Sequence, residues 1–254
     1  MDRNTITSVQ RAADILQCLG NGMYRINDIY STLELSKSAV HRFLKTLQIS
    51  SLVIRDPLTR HYYLGPQILR LASKPPFSHQ YLIVSAYEEM KRLRNLIGES
   101  VVLHIMIGME RVCLADFASP EDIIFNQVKG SSNPIYVGAA GKMLLSQLPS
   151  KDLRVILNNM NFESVAPNTV RDKETLLNSI EEIKKLGYAI AFSERIIGGA
   201  GFSVPIRGYS SPVALTILGP ANRFSKKTMM KYVEVIKSSA RSIERRLIDF
   251  ESNN

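Results

Sequence analysis

Ser36, Lys37, Ser38, His41, Arg42 and Lys45 crowd into the segment ELSKSAVHRFLKTLQ, residues 34–48. Hydroxyls and cations at this density suit polyanion recognition: Arg42 has the fork that reads guanine, Lys37 and His41 can reach base edges or backbone, and Lys45, a turn later, suits phosphate. Ser36 is the expected N-cap, and Ser36 and Ser38 can offer hydroxyls, with the free N–H groups of the first turn, to a phosphate. Val40, Phe43, Leu44 and Leu47 recur at i, i+3, i+4, i+7 and make the opposite face apolar. The segment is therefore predicted to be a helix that buries one side and leaves the other for the major groove of a DNA duplex.

Such a helix needs neighbours to hold it. SVQRAADILQCLG predicts a first helix, capped by Ser8, with Val9, Ala12, Ala13, Leu16 and Leu19 as its stripe and Gly20 and Gly22 at its end. INDIYSTLEL predicts a second, with Asn27 as N-cap and Ile29, Tyr30 and Leu33 facing inward. A tight turn must follow before Ser36. LVIRDPLTRHYYLG alternates apolar and polar residues around the turn pair Asp56-Pro57, which predicts a hairpin pairing residues 52–54 with residues 62–64. Arg55, Arg60 and His61 then fall near its tip, placed for the adjacent minor groove. Three helices and a hairpin form the winged helix-turn-helix plan.

Charge follows the same division. The 254 residues carry a net +9, with a pI near 9.6, and residues 1–74 hold ten Lys or Arg against five Asp or Glu. Cationic density is thus concentrated where the DNA-facing helix is expected. No apolar run approaches the roughly 20 residues of a membrane span. Cys18 and Cys113 stand far apart in apolar contexts, which suits buried thiols in a reducing compartment, and a cytoplasmic location is expected. Pro75 and Pro76 in SKPPFS forbid helix continuation and mark the best linker. The expected layout is a winged helix-turn-helix at 1–65, a linker helix at 66–76 and a second domain at 77–254.

In that second domain YLIVSAYEEMKRLRNLIG predicts a helix with Leu82, Ala86, Met90, Leu93 and Ile97 inside. SVVLHIMIG and ERVCLADFA predict strands meeting at Gly108-Met109. KDLRVILNNM, KETLLNSIEEIKKLG and KTMMKYVEVIKSSARSIERRLIDF predict further helices, and YAIAFSE, GFSVPIRG and PVALTILG further strands. Strand pairs separated by helices indicate an α/β domain with an antiparallel sheet. GAAGKMLL has the look of a phosphate loop, but Met143 follows Lys142 where that motif requires Ser or Thr. Two readings remain: a helix N-terminus open to a carboxylate, or a bare loop-to-helix connection. His41, His61, His79 and His104 show no metal-ligand spacing, and His104 reads as a satisfied core or sheet group. No catalytic residue, metal or cofactor is assigned.

LELSKSAVHRFLKTLQ followed by VIRDPLTRHYYLGP resembles the N-terminal domain of the IclR (isocitrate lyase regulator) family of bacterial transcriptional regulators. GESVVLHIMIGMERVCLAD, PIYVGAAGKMLLSQLP, APNTV and KKLGYAIAFSERIIGGAGFSVPI resemble, in order, its C-terminal effector-binding domain. The family usually has glycine where this chain has Glu34, a substitution that costs about 1 kcal/mol if the position is left-handed. The resemblance implies a GAF-like second domain, a small carboxylate effector held against one face of its sheet, and dimers pairing into tetramers. Its pocket positions fall on Ala139, Ala140, Gly141, Ala191, Gly201, Thr216 and Leu218, with Phe125 added. Here Ala191 replaces an acidic residue, Gly201 a cysteine, and Thr216 and Leu218 two serines. The expected cavity is therefore roomier and drier, suited to a larger or partly apolar carboxylate, including an aromatic one, or else vestigial.

Overall fold

In a computed structural model that describes residues 6–72 and 79–251, the basic segment opens with three helices. These are α1 (Thr7–Gly20), α2 (Ile26–Thr32) and α3 (Lys37–Ile49). Strand β1 (Val53–Arg55) then pairs antiparallel with β2 (Tyr62–Leu64), Val53 opposite Leu64 and Arg55 opposite Tyr62. Helix α4 (Pro66–Ala72) follows, with proline at its first position, where the missing N–H would be unpaired anyway. The Pro75-Pro76 break lies outside the described residues. The chain divides into two compact units, residues 1–79 and 80–254.

The first unit closes on Ile15, Cys18 and Leu19 from α1, Ile29 from α2, Val40, Leu44 and Leu47 from α3, and Val53 and Tyr62 from the hairpin. Two expected caps are corrected. α1 starts one residue before Ser8 and α2 one before Asn27, and their N-cap positions, Ile6 and Arg25, carry no capping side chain. Packing against α3 and the hairpin sets those starts, overriding the weaker local signal. The α1 stripe is rotated accordingly, with Ile15 and Cys18 inside and Val9 64% exposed. Gly65 is required by closeness: a Cβ there would lie 2.2 Å from the Ser51 carbonyl oxygen.

The second unit is built on six strands, all paired antiparallel in the order β5-β4-β3-β8-β7-β6. They are β3 (Ser100–Ile107), β4 (Glu110–Phe117), β5 (Ser132–Pro134), β6 (Ala189–Phe192), β7 (Gly199–Ile206) and β8 (Val213–Pro220). Period-2 alternation gives the sheet two faces. Val101, Leu103, Ile105, Phe202, Val204, Leu215 and Ile217 pack under α5 (Gln80–Ile97) and α9 (Lys226–Glu251). The other face carries α6 (Gly138–Ser146), with α7 (Ser150–Asn158) and α8 (Lys173–Leu186) completing a second core around Met143, Leu144, Leu176 and Ile180.

Helix α6 can approach because that face is floored with small side chains: Ala191 on β6, Gly201 on β7 and Ala214 on β8. The register of β3 against β4 shifts between Leu103, opposite Ala115, and His104, opposite Cys113. Leu114 is the inserted residue, and this bulge keeps Arg111 and Cys113 on the face that carries His104. Cys18 and Cys113 are free and buried. No helix among the described residues is long and apolar enough to cross a membrane.

Candidate functional site

Two surfaces carry the site residues read from the sequence. The first is the outer side of α3. Ser36 caps this helix, its Oγ accepting from the Ala39 N–H at 3.2 Å and lying 3.1 Å from the Ser38 Oγ. Before it, Leu35 N–H reaches back to the Tyr30 carbonyl at 3.1 Å, and Glu34 sits at φ 52°, the left-handed conformation that this tight α2–α3 turn demands. Val40 and Leu44 are fully buried, while Ser36, Lys37, Ser38, His41, Arg42 and Lys45 are all exposed. Arg42 also shares a shallow groove with Arg11 of α1, a cation that sequence reasoning left unassigned.

The hairpin tip is shaped by Asp56. Its carboxylate accepts from the Leu58 N–H and the Thr59 hydroxyl, both at 2.8 Å, and those two bonds, the backbone one first, hold it below the usual carboxylate range. Arg60 adopts φ 60° and is exposed, as is Arg55, whose guanidinium lies 5.4 Å from the Tyr62 ring centre. His61 differs. It is half-buried, and its Nε2 accepts from Arg25 Nε at 3.4 Å.

The second surface is a narrow cleft in the α/β unit, a cavity of about 40 Å³ between the sheet and the start of α6. Phe125, Ala139, Ala140, Ala191, Gly201 and Leu218, six of the eight expected pocket positions, line it. Gly141 and Thr216 are not part of its wall. Gly141 is pressed so close to the Ile135 carbonyl that a Cβ would lie 1.9 Å away. Thr216 is sealed beneath, where its Oγ1 lies 3.1 Å from His104 Nδ1 and 3.0 Å from the Ser203 hydroxyl.

The wall is mostly apolar, but it carries two cations. Arg111 from β4 and Arg195 from the turn between β6 and β7 both line the cleft, and sequence reasoning assigned neither. Arg111 is 3% exposed; its Nε donates to the Val137 carbonyl at 3.1 Å, and its Nη1 lies 3.1 Å from His104 Nε2 and 3.3 Å from Gln127 Oε1. Burial, then the nearby Arg195 charge, push it down to about 9, so it stays cationic at neutral pH. Burial, then the Arg111 charge, push His104 down to about 3, leaving a neutral imidazole. With Thr216 donating to His104 Nδ1, His104 Nε2 donates to Gln127 Oε1 at 2.9 Å, and Arg111 Nη1 then bonds Gln127 Oε1 and only packs against the imidazole N–H.

The acidic side chain of the cleft is already engaged. Glu194 takes Lys142 Nζ at 2.5 Å on one oxygen and the Gly138 N–H at 3.2 Å on the other, pinning its turn over the start of α6. Lys142 thus serves as a buried counter-charge to Glu194. Helix α6 has no capping side chain of its own at Val137.

Comparison with known proteins places both surfaces in one context. Residues 8–57 match the family described as the IclR helix-turn-helix domain, and residues 77–245 match that described as bacterial transcriptional regulator IclR C-terminal. The HTH-type transcriptional repressor AllR of Escherichia coli K12 is 28% identical over 240 residues, covering 93% of this chain and 88% of AllR. AllR of Salmonella typhimurium LT2 matches to the same extent. Among solved structures, the Thermotoga maritima IclR superposes with a TM-score of 0.73 at 23% identity, covering 96% of this chain and 99% of that one. An IclR homologue of Microbacterium hydrocarbonoxydans complexed with 4-hydroxybenzoate superposes with a TM-score of 0.76 at 22% identity, covering 95% and 99%.

Proposed function

The chain belongs to the IclR family of bacterial transcriptional regulators, and from that membership we propose how its two units work: α3 reads an operator in double-stranded DNA, and a small carboxylate effector in the α6 cleft sets the affinity. The observation that carries the first part is the split character of α3. Its apolar stripe is sealed in the core while Lys37, Ser38, His41, Arg42 and Lys45 all remain in solvent beyond a capped N-terminus. In this reading Arg42 contacts bases, Lys37 and His41 bases or backbone, and Ser36, Ser38 and Lys45 phosphates. Arg55 and Arg60 extend the footprint into the neighbouring minor groove, and His61 buttresses that wing through Arg25.

A single recognition helix covers only one half-site, so the working species is a dimer that places two copies of α3 in successive major grooves, with dimers pairing into tetramers. The effector reading draws support from the cationic cleft and from the structural neighbour that holds the carboxylate 4-hydroxybenzoate. The DNA-binding reading carries with it a cytoplasmic location, and the regulators this chain matches support a binding protein rather than an enzyme.

The test begins with genomic fragments selected by the full chain. Fluorescence anisotropy on the enriched fragment should give an affinity at least a thousandfold above that for a scrambled duplex, and sedimentation should show paired copies on it. Equal affinity for both duplexes would overturn the operator reading. Saturating effector that left the affinity for DNA unchanged would overturn the regulatory one.

A further inference from the structure

The α6 cleft contains more positive charge than the protein itself neutralises. Arg111 is almost wholly buried, and its Nε and Nη1 meet only neutral partners. Its Nη2 has no protein hydrogen bond among the described residues, yet it is not sealed from solvent, which leaves it facing the cleft that Arg111 lines. Arg195 is half-buried in the same wall and makes no hydrogen bond or ion pair among the described residues. Glu194 cannot serve either guanidinium as a full counter-ion, because its two oxygens are taken by Lys142 and the Gly138 N–H.

A buried guanidinium without a counter-charge is strongly disfavoured unless something supplies one, and two in one cleft repel each other as well. Burial, then the Arg195 charge, lowers Arg111's affinity for its proton, and burial lowers that of Arg195. A ligand with one negative charge would neutralise one guanidinium and leave the other exposed to it.

Building on the effector reading above, we propose that the α6 cleft takes a small organic dianion, with Arg111 and Arg195 each meeting one of its charges. In the carboxylate reading the ligand is a dicarboxylate whose two acid groups are joined by a short apolar segment. That segment lies over the floor of Ala191, Gly201 and Leu218, and Phe125 closes one side. A phosphate monoester offers the same total charge on one group and is the other source of this chemistry.

Isothermal titration of the full chain distinguishes these cases. Succinate, glutarate and adipate are compared with butyrate, valerate and hexanoate, which match them in carbon number, and with glycerol phosphate. The expected result is at least tenfold tighter binding of one dicarboxylate than of its matched monoacid. Arg195→Gln, which removes a side chain with no hydrogen bond or ion pair among the described residues, should erase that preference by weakening the dicarboxylate more than its matched monoacid; Arg111→Lys should retain part of it. Thermal unfolding of both variants confirms that they are folded. Tighter binding of glycerol phosphate than of any dicarboxylate, lost in Arg195→Gln, would support the dianion with phosphate as its source. Equal binding of monoacids and diacids would overturn the dianion assignment and leave the effector reading intact, whereas no binding by any of these probes or by 4-hydroxybenzoate, titrated alongside them, would overturn both.

Discussion

Arg42 stands fully outside a helix whose opposite side is closed, with no ion pair among the described residues to hold it back. Arg42→Ala should weaken operator binding by about 1 to 3 kcal/mol and relax the preference at one base position, measured by anisotropy on matched and point-substituted duplexes. A uniform loss over all sequences would instead assign Arg42 to the phosphates. Glu34 presents the opposite situation: it is exposed, and only its backbone is constrained, at φ 52°. Glycine adopts that conformation without steric conflict, so Glu34→Gly should stabilise the first unit by roughly 1 kcal/mol in urea unfolding. The glycine usual for the family at this position pointed to a left-handed turn before any coordinates, and the turn has that conformation. Arg111 was not legible in the same way. In ERVCLADF it occupies an ordinary alternating strand position, and nothing local shows that the bulge at Leu114 and the turn at 193–198 bring it beside Arg195.

At the scale of elements, the strongest sequence signals were those with a side chain in a fixed role. The Ser36 cap, the α3 stripe and the Gly108 turn all formed as read, the last with φ 60°. Ser8 and Asn27 failed as caps because tertiary contacts, not local hydrogen bonds, set where α1 and α2 begin. Strand β5 escaped notice because SNP has no alternation and pairs with β4 over only three residues, at a sheet edge where Pro134 is tolerated. The seat of α6 yields a paired prediction. Gly141→Ala would normally favour a helix, but here the new methyl meets the Ile135 carbonyl, and a loss of at least about 2 kcal/mol is expected in calorimetry. Gly201→Ala places its Cβ at 3.5 Å from Ala139 and Leu218, an ordinary contact. It should leave unfolding nearly unchanged while narrowing the cleft, visible as weaker ligand binding.

For the whole molecule, the neutral His104 ties stability to acidity. Folding holds its imidazole at about 3, under burial and the charges of Arg111 and then Arg195, whereas the unfolded chain titrates near the ordinary value of about 6.5. Between those values the unfolded state binds the extra proton, so the contribution to stability is full above about pH 6.5 and declines as pH falls. Chemical denaturation at about pH 7.5 and about pH 5 should show the native protein losing on the order of 2 kcal/mol more than His104→Gln over that interval. Matching slopes for the two proteins would mean that the imidazole is protonated in the fold. The division into two units and the half-apolar, half-cationic helix α3 were readable because charge and periodicity are local properties of the chain. The buried chain of Ser203, Thr216, His104, Gln127 and Arg111 was not, since its members come from four strands and the loop after β4, brought together only by the sheet's order and that loop's return.

The two sequestered sulfurs have a practical consequence. Cys113 is pushed up to about 12, chiefly by burial, and Cys18 is raised for the same first reason; both thiols are buried away from an alkylating dye. Leu58, 91% exposed at the hairpin tip, can then be changed to cysteine and tagged selectively in an otherwise native background. A fluorophore at that point would report the arrival of a duplex at the wing in real time.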